Sequence, residues 1–289
     1  MNYLFHIAIM INIYIILSLS LNLIVGSGGM LSLCHAAFYG IGAYIGTLLM
    51  LNLGWTFFPA LVCAVIGTAL LSSIISVPSL RLKGDYFILG SMGFQSIVFI
   101  ILYNWTDLTR GPYGISGIPA PSFFGWTVRG LPLWFAFSTA VMLICTTFIV
   151  LIMNSPFGRT LKAIREDELA AGSLGKNIPL FKIKTFAIAA GFAAIVGMLF
   201  AGYMRYIDPT SFTMMESVFV LSILIIGGAG NIQGPIIGAV VLVVLPELLR
   251  FLGMPDAIAA NMRQVIYGLA MIVLIRFRPQ GLLGEYKFT

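Results

Sequence analysis

Residues 155–184, SPFGRTLKAIREDELAAGSLGKNIPLFKIK, carry six of the sixteen Lys and Arg in this chain and three of its ten Asp and Glu. The sequence on either side is almost wholly apolar, LPLWFAFSTAVMLICTTFIVLIM at 131–153 and IKTFAIAAGFAAIVGMLFAGYM at 183–204. Each flank is long enough to cross a hydrocarbon core, which takes about 20 apolar residues in a helix. Ser155-Pro156 suits a helix start, Thr160 to Ala171 is rich in helix formers, and Gly172 and Gly175 mark an exit. The spacing predicts a polar helix–turn–helix between two membrane spans. The triplet Glu166-Asp167-Glu168 is followed by Leu169-Ala170-Ala171, a small, flat patch that another protein's groove could approach closely. A solvated amphipathic loop lying on lipid headgroups accounts for the same residues.

Composition extends this reading to the whole chain. Of 289 residues, 60% are hydrophobic and only 9% charged, against about 25% charged in a soluble domain. Repeated apolar runs identify an all-α integral membrane protein, a polytopic helical bundle. The net charge of +6 does not point to nucleic acid, since no basic stripe with interleaved aromatics occurs. Cys34, Cys63 and Cys145 are isolated in apolar runs and read as buried small hydrophobes, not as disulfide partners or metal ligands. The start, MNYLFHIAIMINIYIILSLSLNLIV, lacks a basic leader and a small-residue cleavage signature, and is expected to be a retained first span.

Nine candidate spans emerge: 4–25, 30–52, 56–79, 86–104, 131–153, 183–204, 212–228, 234–250 and 263–277. Loops on the cytoplasmic side carry the Lys and Arg excess. With the island inside and sides alternating, Arg81 and Lys83, then Arg276, Arg278 and Lys287, also fall inside. Eleven of the sixteen basic residues are then cytoplasmic, with the N-terminus outside and the C-terminus inside. The chain reads as one transmembrane domain, 1–289, with its cytoplasmic loop at about 154–182. The stretch 106–130, TDLTRGPYGISGIPAPSFFGWTVRG, lands outside. Its Pro, Gly and aromatic residues suit an ordered cap, either a connector or part of a surface that receives an external partner.

Two Gly-broken segments resemble each other, LSLNLIVGSGGMLSL at 19–33 and LSILIIGGAGNIQGPI at 221–236. Interrupted helices in corresponding places often flank a transport pathway, although two Gly-rich membrane segments can also match by chance. Gly26, Gly28, Gly29, Gly227, Gly228 and Gly230 are the candidate breakers. Asn22 and His35 flank the first break, and Gln95 lies in the fourth span. Polar groups in lipid are costly, and these three are either helix–helix hydrogen-bonding residues or pathway contacts. Glu216 and Glu247 fall near span ends and are expected to reach the interface. Asp85 is expected to pair with Arg81 or Lys83. The small-residue run AIAAGFAAIVGMLFAG at 187–202 is a packing face, expected to be used within the chain.

The block GRTLKAIREDELAAGSLGKNIPLFKIKTFAIAAGFAAIVGMLFA resembles the coupling region of permease subunits of ATP-binding-cassette importers for branched-chain amino acids, of the LivM-like type. Glu168-Leu169-Ala170-Ala171 with Gly175 is similar to their Glu-Ala-Ala…Gly element, with Leu169 in place of the first Ala. LSLNLIVGSGGMLSLCHAAFYGIGAY, LRLKGDYFILGSMGF, RGPYGISGIP and FRPQGLLG follow the same family in order over nearly the full chain. The resemblance implies an importer subunit without enzymatic residues of its own. It implies as partners a second homologous permease, two ATP-binding subunits holding ATP and Mg, and an external, periplasmic substrate-binding protein, in a bacterial inner membrane. Arg165, Glu166, Asp167, Glu168, Ala170, Ala171 and Gly175 would be the ATPase-coupling residues. No GxxxxGK[ST] occurs, in keeping with ATP chemistry on another chain. Importers of other amino acids, short amides or urea use similar permeases. An ion-coupled carrier would call for Asp or Glu in mid-span, and the spans place none there. Two His and three scattered Cys offer no catalytic constellation.

Overall fold

A backbone that crosses hydrocarbon must satisfy its amides within its own segment, and the apolar runs accordingly fold as helices. In the computed structural model the described residues are 2–79, 84–123, 126–251, 265, 268, 269, 272, 276 and 281–283. Helix α1 (Asn2–Asn22) runs on through a π turn (Leu23–Ser27). It is followed by α2 (His35–Asn52), α3 (Phe57–Ser79), α4 (Asp85–Asn104) and the single turn α5 (Thr106–Thr109). After a long loop come α6 (Leu131–Asn154), α7 (Pro156–Glu166), α8 (Glu168–Ser173) and α9 (Ile178–Met204). Helices α10 (Met214–Gly227) and α11 (Gln233–Phe251) form a tight pair near the end.

Asn2–Ser27, Phe57–Ile74, Asp85–Asn104, Leu131–Asn154 and Ile178–Met204 are long and apolar enough to cross a membrane. Helices α2, α10 and α11 occupy three further predicted spans. The ninth, 263–277, lies almost wholly outside the described residues, as do Arg81 and Lys83, the expected partners of Asp85. The second span begins at His35 rather than at residue 30. Gly29 adopts φ +66, a left-handed value that ends the preceding helix and leaves residues 30–34 irregular.

Helix α9 is the central post, lying against α2 and α3. A Cβ at Gly42 would stand 2.3 Å from Ala194 Cα, and one at Gly197 would stand 2.3 Å from Tyr39 O. The small residues of 187–202 therefore serve contact within the chain, as expected. Lipid is as apolar as a core, so this contact stabilises through close van der Waals fit rather than through water exclusion. Helix α1 fills the other side against α6, α10 and α11.

Helices α6 and α9 each begin at one end of the bundle and finish at the other. At one end sit α7 and α8. At the opposite end, β1 (Ile115–Ser116) pairs antiparallel with β4 (Tyr206–Ile207), and β2 (Ser122–Phe123) pairs with β3 (Trp126–Thr127). The β1–β4 ladder ties the 106–130 stretch to the α9–α10 linker, and the β2–β3 pairing lies within that stretch. They enclose an open hollow of about 670 Å³ whose lining includes Arg129 and Arg205.

Candidate functional site: a junction of broken helices beneath the polar island

The polar island folds as two helices, not one continuous helix to Ala171. Asp167, extended at φ −151, ends α7 and caps α8, its carboxylate accepting from Leu169 N and Ala170 N at 2.9 Å each. A side chain that can satisfy two free amides at a helix start favours the break there. Helix α7 is amphipathic, burying Gly158, Leu161 and Ile164. Phe157 stacks on Phe181 of α9 at 5.4 Å, which fixes the island to the bundle. Gly175 turns the chain at φ +75 into α9, which starts at Ile178 rather than at residue 183.

Each acidic residue of the triplet has a local partner. Glu166 meets Arg165 at 2.5 Å, Asp167 caps α8, and Glu168 meets Lys182 at 2.8 Å. The expected flat patch is also altered. Ala170 is exposed, but Ala171 is buried. The outward surface is instead made by Leu169, 84% exposed, and Leu174, 80% exposed. The sequence placed Leu169 in the flat patch and showed it as a departure from a motif, without marking it as the outward residue. Its place on the first turn of a capped helix is the signal that marks it as outward.

Arg165 joins this island to the first helix break. Its Nη1 donates to Gly26 O at 2.6 Å across 139 positions of sequence. Its stem also lies over Gly29, where a Cβ would stand 2.7 Å from Arg165 Cγ. Only glycine leaves room for that side chain. The first break is fastened in turn to the second. Asn22 Oδ1 accepts from Gly230 N at 3.0 Å, and Asn22 Nδ2 donates to Asn231 O at 2.6 Å. A Cβ on Gly26 would stand 2.0 Å from Asn22 Oδ1 and 2.6 Å from Gly230 N. The second break is closed from below, where Leu282 N and Leu283 N donate to Ile226 O and Gly227 O at 3.0 Å each. Gly28 lies inside the first break and Gly227 and Gly228 inside the second, so the breakers named from sequence gather at one junction.

His35 and Gln95 belong to a separate buried layer above it. Gln95 accepts from Ala37 N at 2.7 Å and Ser217 Oγ at 3.3 Å, and donates to Phe212 O at 2.8 Å. It joins α4, α2 and the start of α10, as a packing residue does. His35 Nε2 lies 2.7 Å from Ser20 Oγ, whose proton goes to Leu17 O at 2.7 Å. The imidazole Nδ1 is buried with no partner among the described residues.

Glu216 is the third residue of α10, near the end of its span as expected; it is half-buried and accepts from Tyr14 Oη at 2.8 Å, midway along α1. The cause is the linker before α10, which carries Pro209–Phe212 inward until Phe212 is buried against Tyr39, ring centroids 4.8 Å apart. Helix α10 thus starts well below the end of the bundle. Among the described residues no group of His, Cys, Asp and Glu is placed to hold a metal.

The comparisons agree with this architecture. A family model described as the permease component of branched-chain amino acid transport systems matches residues 3–275. The chain is 38% identical to the high-affinity branched-chain amino acid transport system permease protein LivM of Salmonella typhimurium, over 96% of this chain and 69% of that protein. It is 38% identical to the LivM protein of Escherichia coli over the same shares. It is also 26% identical to the LivH permease protein of Escherichia coli, over 94% of this chain and 91% of that one. No solved structure matches the chain. A bundle of membrane-spanning helices with two paired breaks, matched by that family over nearly its whole length, belongs to the permease components of branched-chain amino acid transport systems.

Proposed function

We propose that this chain is one transmembrane half of an ATP-driven importer for leucine, isoleucine and valine. Its N-terminus lies outside, and α7–α8 lie in the cytoplasm against an ATP-binding subunit. The observation that carries the reading is the bond from Arg165 to Gly26 O at 2.6 Å. An exposed element with two outward leucines is thereby connected to a pair of helix breaks by one guanidinium. Motion of α7–α8 under ATPase closure pulls on the first break, and Asn22 carries the displacement to the second. Alternating access follows if the half-helices on either side of the breaks tilt together.

Several features support the partners. Likeness to both LivM and LivH, two permeases of one kind of system by name, supports a homologous second permease beside this chain. ATP and Mg then belong to the soluble subunits. At the other end, the hollow with Arg129 and Arg205 suits an external binding protein. Neither guanidinium makes an ion pair with a described residue, and Asp208 close by is taken by the hydroxyls of Thr210 and Ser211.

The test is purification of the tagged chain in mild detergent, wild type beside Leu169→Asp and Ala170→Asp. The wild type should bring down a second permease and two ATP-binding subunits. Each variant should retain the permease and lose the ATPases. Recovery of the chain alone, with uptake that collapses when the ion gradient is dissipated, would replace this reading with a secondary carrier.

A further inference from the structure

Glu216 meets Tyr14 midway along α1, on a flank of the bundle that is partly exposed. Tyr14, its partner, lies twelve residues before Gly26 on α1, roughly 18 Å along the helix at 1.5 Å per residue. Gly26 is level with α7 through its bond to Arg165. On the proposed topology Glu216 is therefore about 18 Å from the end that carries α7, less than the ~30 Å thickness of a hydrocarbon layer. Neither of its oxygens meets a Lys or Arg among the described residues.

The flank has a direction. On α1, Ile7, Met10, Ile11 and Tyr14 are partly exposed, and every residue from Ile15 to Ser27 is buried. On α10, Met215 to Phe219 are exposed or partly exposed except Ser217, and Val220 to Leu224 are buried. The two helices form a strip that opens toward the end bearing Arg129 and Arg205 and closes just below Tyr14, Glu216 and Phe219. Phe219 packs edge-on to Tyr14 at 5.0 Å and makes the floor. An uncompensated carboxylate facing lipid at this depth is strongly disfavoured, so such residues face a water-filled path or another chain.

We infer that Glu216, held by Tyr14, is the subsite that receives the α-ammonium group of the amino acid on its way through the membrane. This rests on the importer reading given above. The chemistry fits. A carboxylate with one neutral hydrogen-bond donor and no cation among the described residues lacks the partner that an ammonium group supplies. Phe219, edge-on to Tyr14, and Met10 and Ile11, about one turn before Tyr14 on α1, offer apolar contact to a branched side chain. The floor stops the substrate above the Asn22 junction, where the breaks would have to move before it passes.

The test uses the assembled importer in nanodiscs, with Cys63 replaced by Ser and Met10→Cys or Val218→Cys introduced. A membrane-impermeant cationic thiosulfonate should label both positions from water, and leucine should slow the labelling. The 2-oxo analogue of leucine, which lacks the ammonium group, should not. Glu216→Gln should raise the leucine concentration needed for protection about 10- to 100-fold, the range expected for a lost charge-assisted bond. Absence of labelling at both cysteines would overturn the inference by showing a sealed flank, whether or not Glu216→Gln assembles. Equal protection by the oxo analogue, or unchanged protection in Glu216→Gln, would also overturn it. An importer that moves leucine yet fails these tests sinks this inference alone. A complex that moves no leucine sinks the cargo reading itself.

Discussion

Asn22 holds two backbone segments 208 positions apart with one carboxamide. Its replacement by Ala leaves a buried N–H and a carbonyl without partners, at a cost of about 1–3 kcal/mol. Thermal unfolding of Asn22→Ala in detergent should show that loss, whereas Asn22→Gln has the groups but is one methylene too long to restore both bonds. Arg165 acts differently, because its partner Gly26 O lies at the helix break that the proposed mechanism displaces. Arg165→Ala should assemble with the ATPases and hydrolyse ATP, while leucine uptake falls at least about tenfold, a lost bond of some 1.4 kcal/mol in the transport barrier. Uptake that remains in step with hydrolysis would argue against the link. Arg205 tests the opposite face. It occupies a left-handed position at φ 56, where glycine is favoured and a side chain costs roughly 1 kcal/mol. Arg205→Gly should therefore unfold no earlier than wild type, yet bind the external binding protein more weakly and with a shallower salt dependence. Equal affinity at low and moderate salt would remove Arg205 from the docking surface.

At the level of elements, α2 and α9 meet where glycine on one faces alanine on the other. Gly42→Val places two methyl groups where Ala194 backbone stands, and about 3 kcal/mol or more of stability should be lost, measured as reduced yield and melting temperature. The polar island was largely legible as sequence. Its Ser-Pro start, apolar face and glycine exit all follow from local propensity, and the structure keeps them. What local propensity misjudged was the break at Asp167. Helix formers on both sides hid a residue whose side chain caps as readily as it continues. The outward leucines followed from that break, since ending α7 early turns Leu169 away from the bundle.

Across the whole molecule, the breakers named from sequence converge, but the reason for their convergence lies in packing. The charge pattern sets the proposed topology, N-terminus outside and C-terminus inside. Fusing a fluorescent protein to the C-terminus should give a bright cytoplasmic signal, and a cysteine at Gly117 should react with an impermeant reagent added outside. The reverse pattern would invert the assignment of every loop. Against an ion-coupled carrier the sequence offers no carboxylate in mid-span, and Glu216, in the first turn of its own helix, bonds to Tyr14 midway along α1. The family relationship, not composition, sets that reading aside.

The sequence by itself determined the class, the described apolar helices apart from their ends, and the polar island, because hydrocarbon demands long apolar helices and an aqueous loop shows its charge locally. It also marked the glycines at which helices must stop. Tertiary structure alone decided that Arg165 rests on Gly26, that Asn22 clasps Gly230 and Asn231, and that Arg205 joins Arg129 at one hollow. It also decided that Glu216, third residue of its helix, lies level with the middle of another. Those placements depend on which helix lies beside which and at what depth, and distance along the chain carries no record of either.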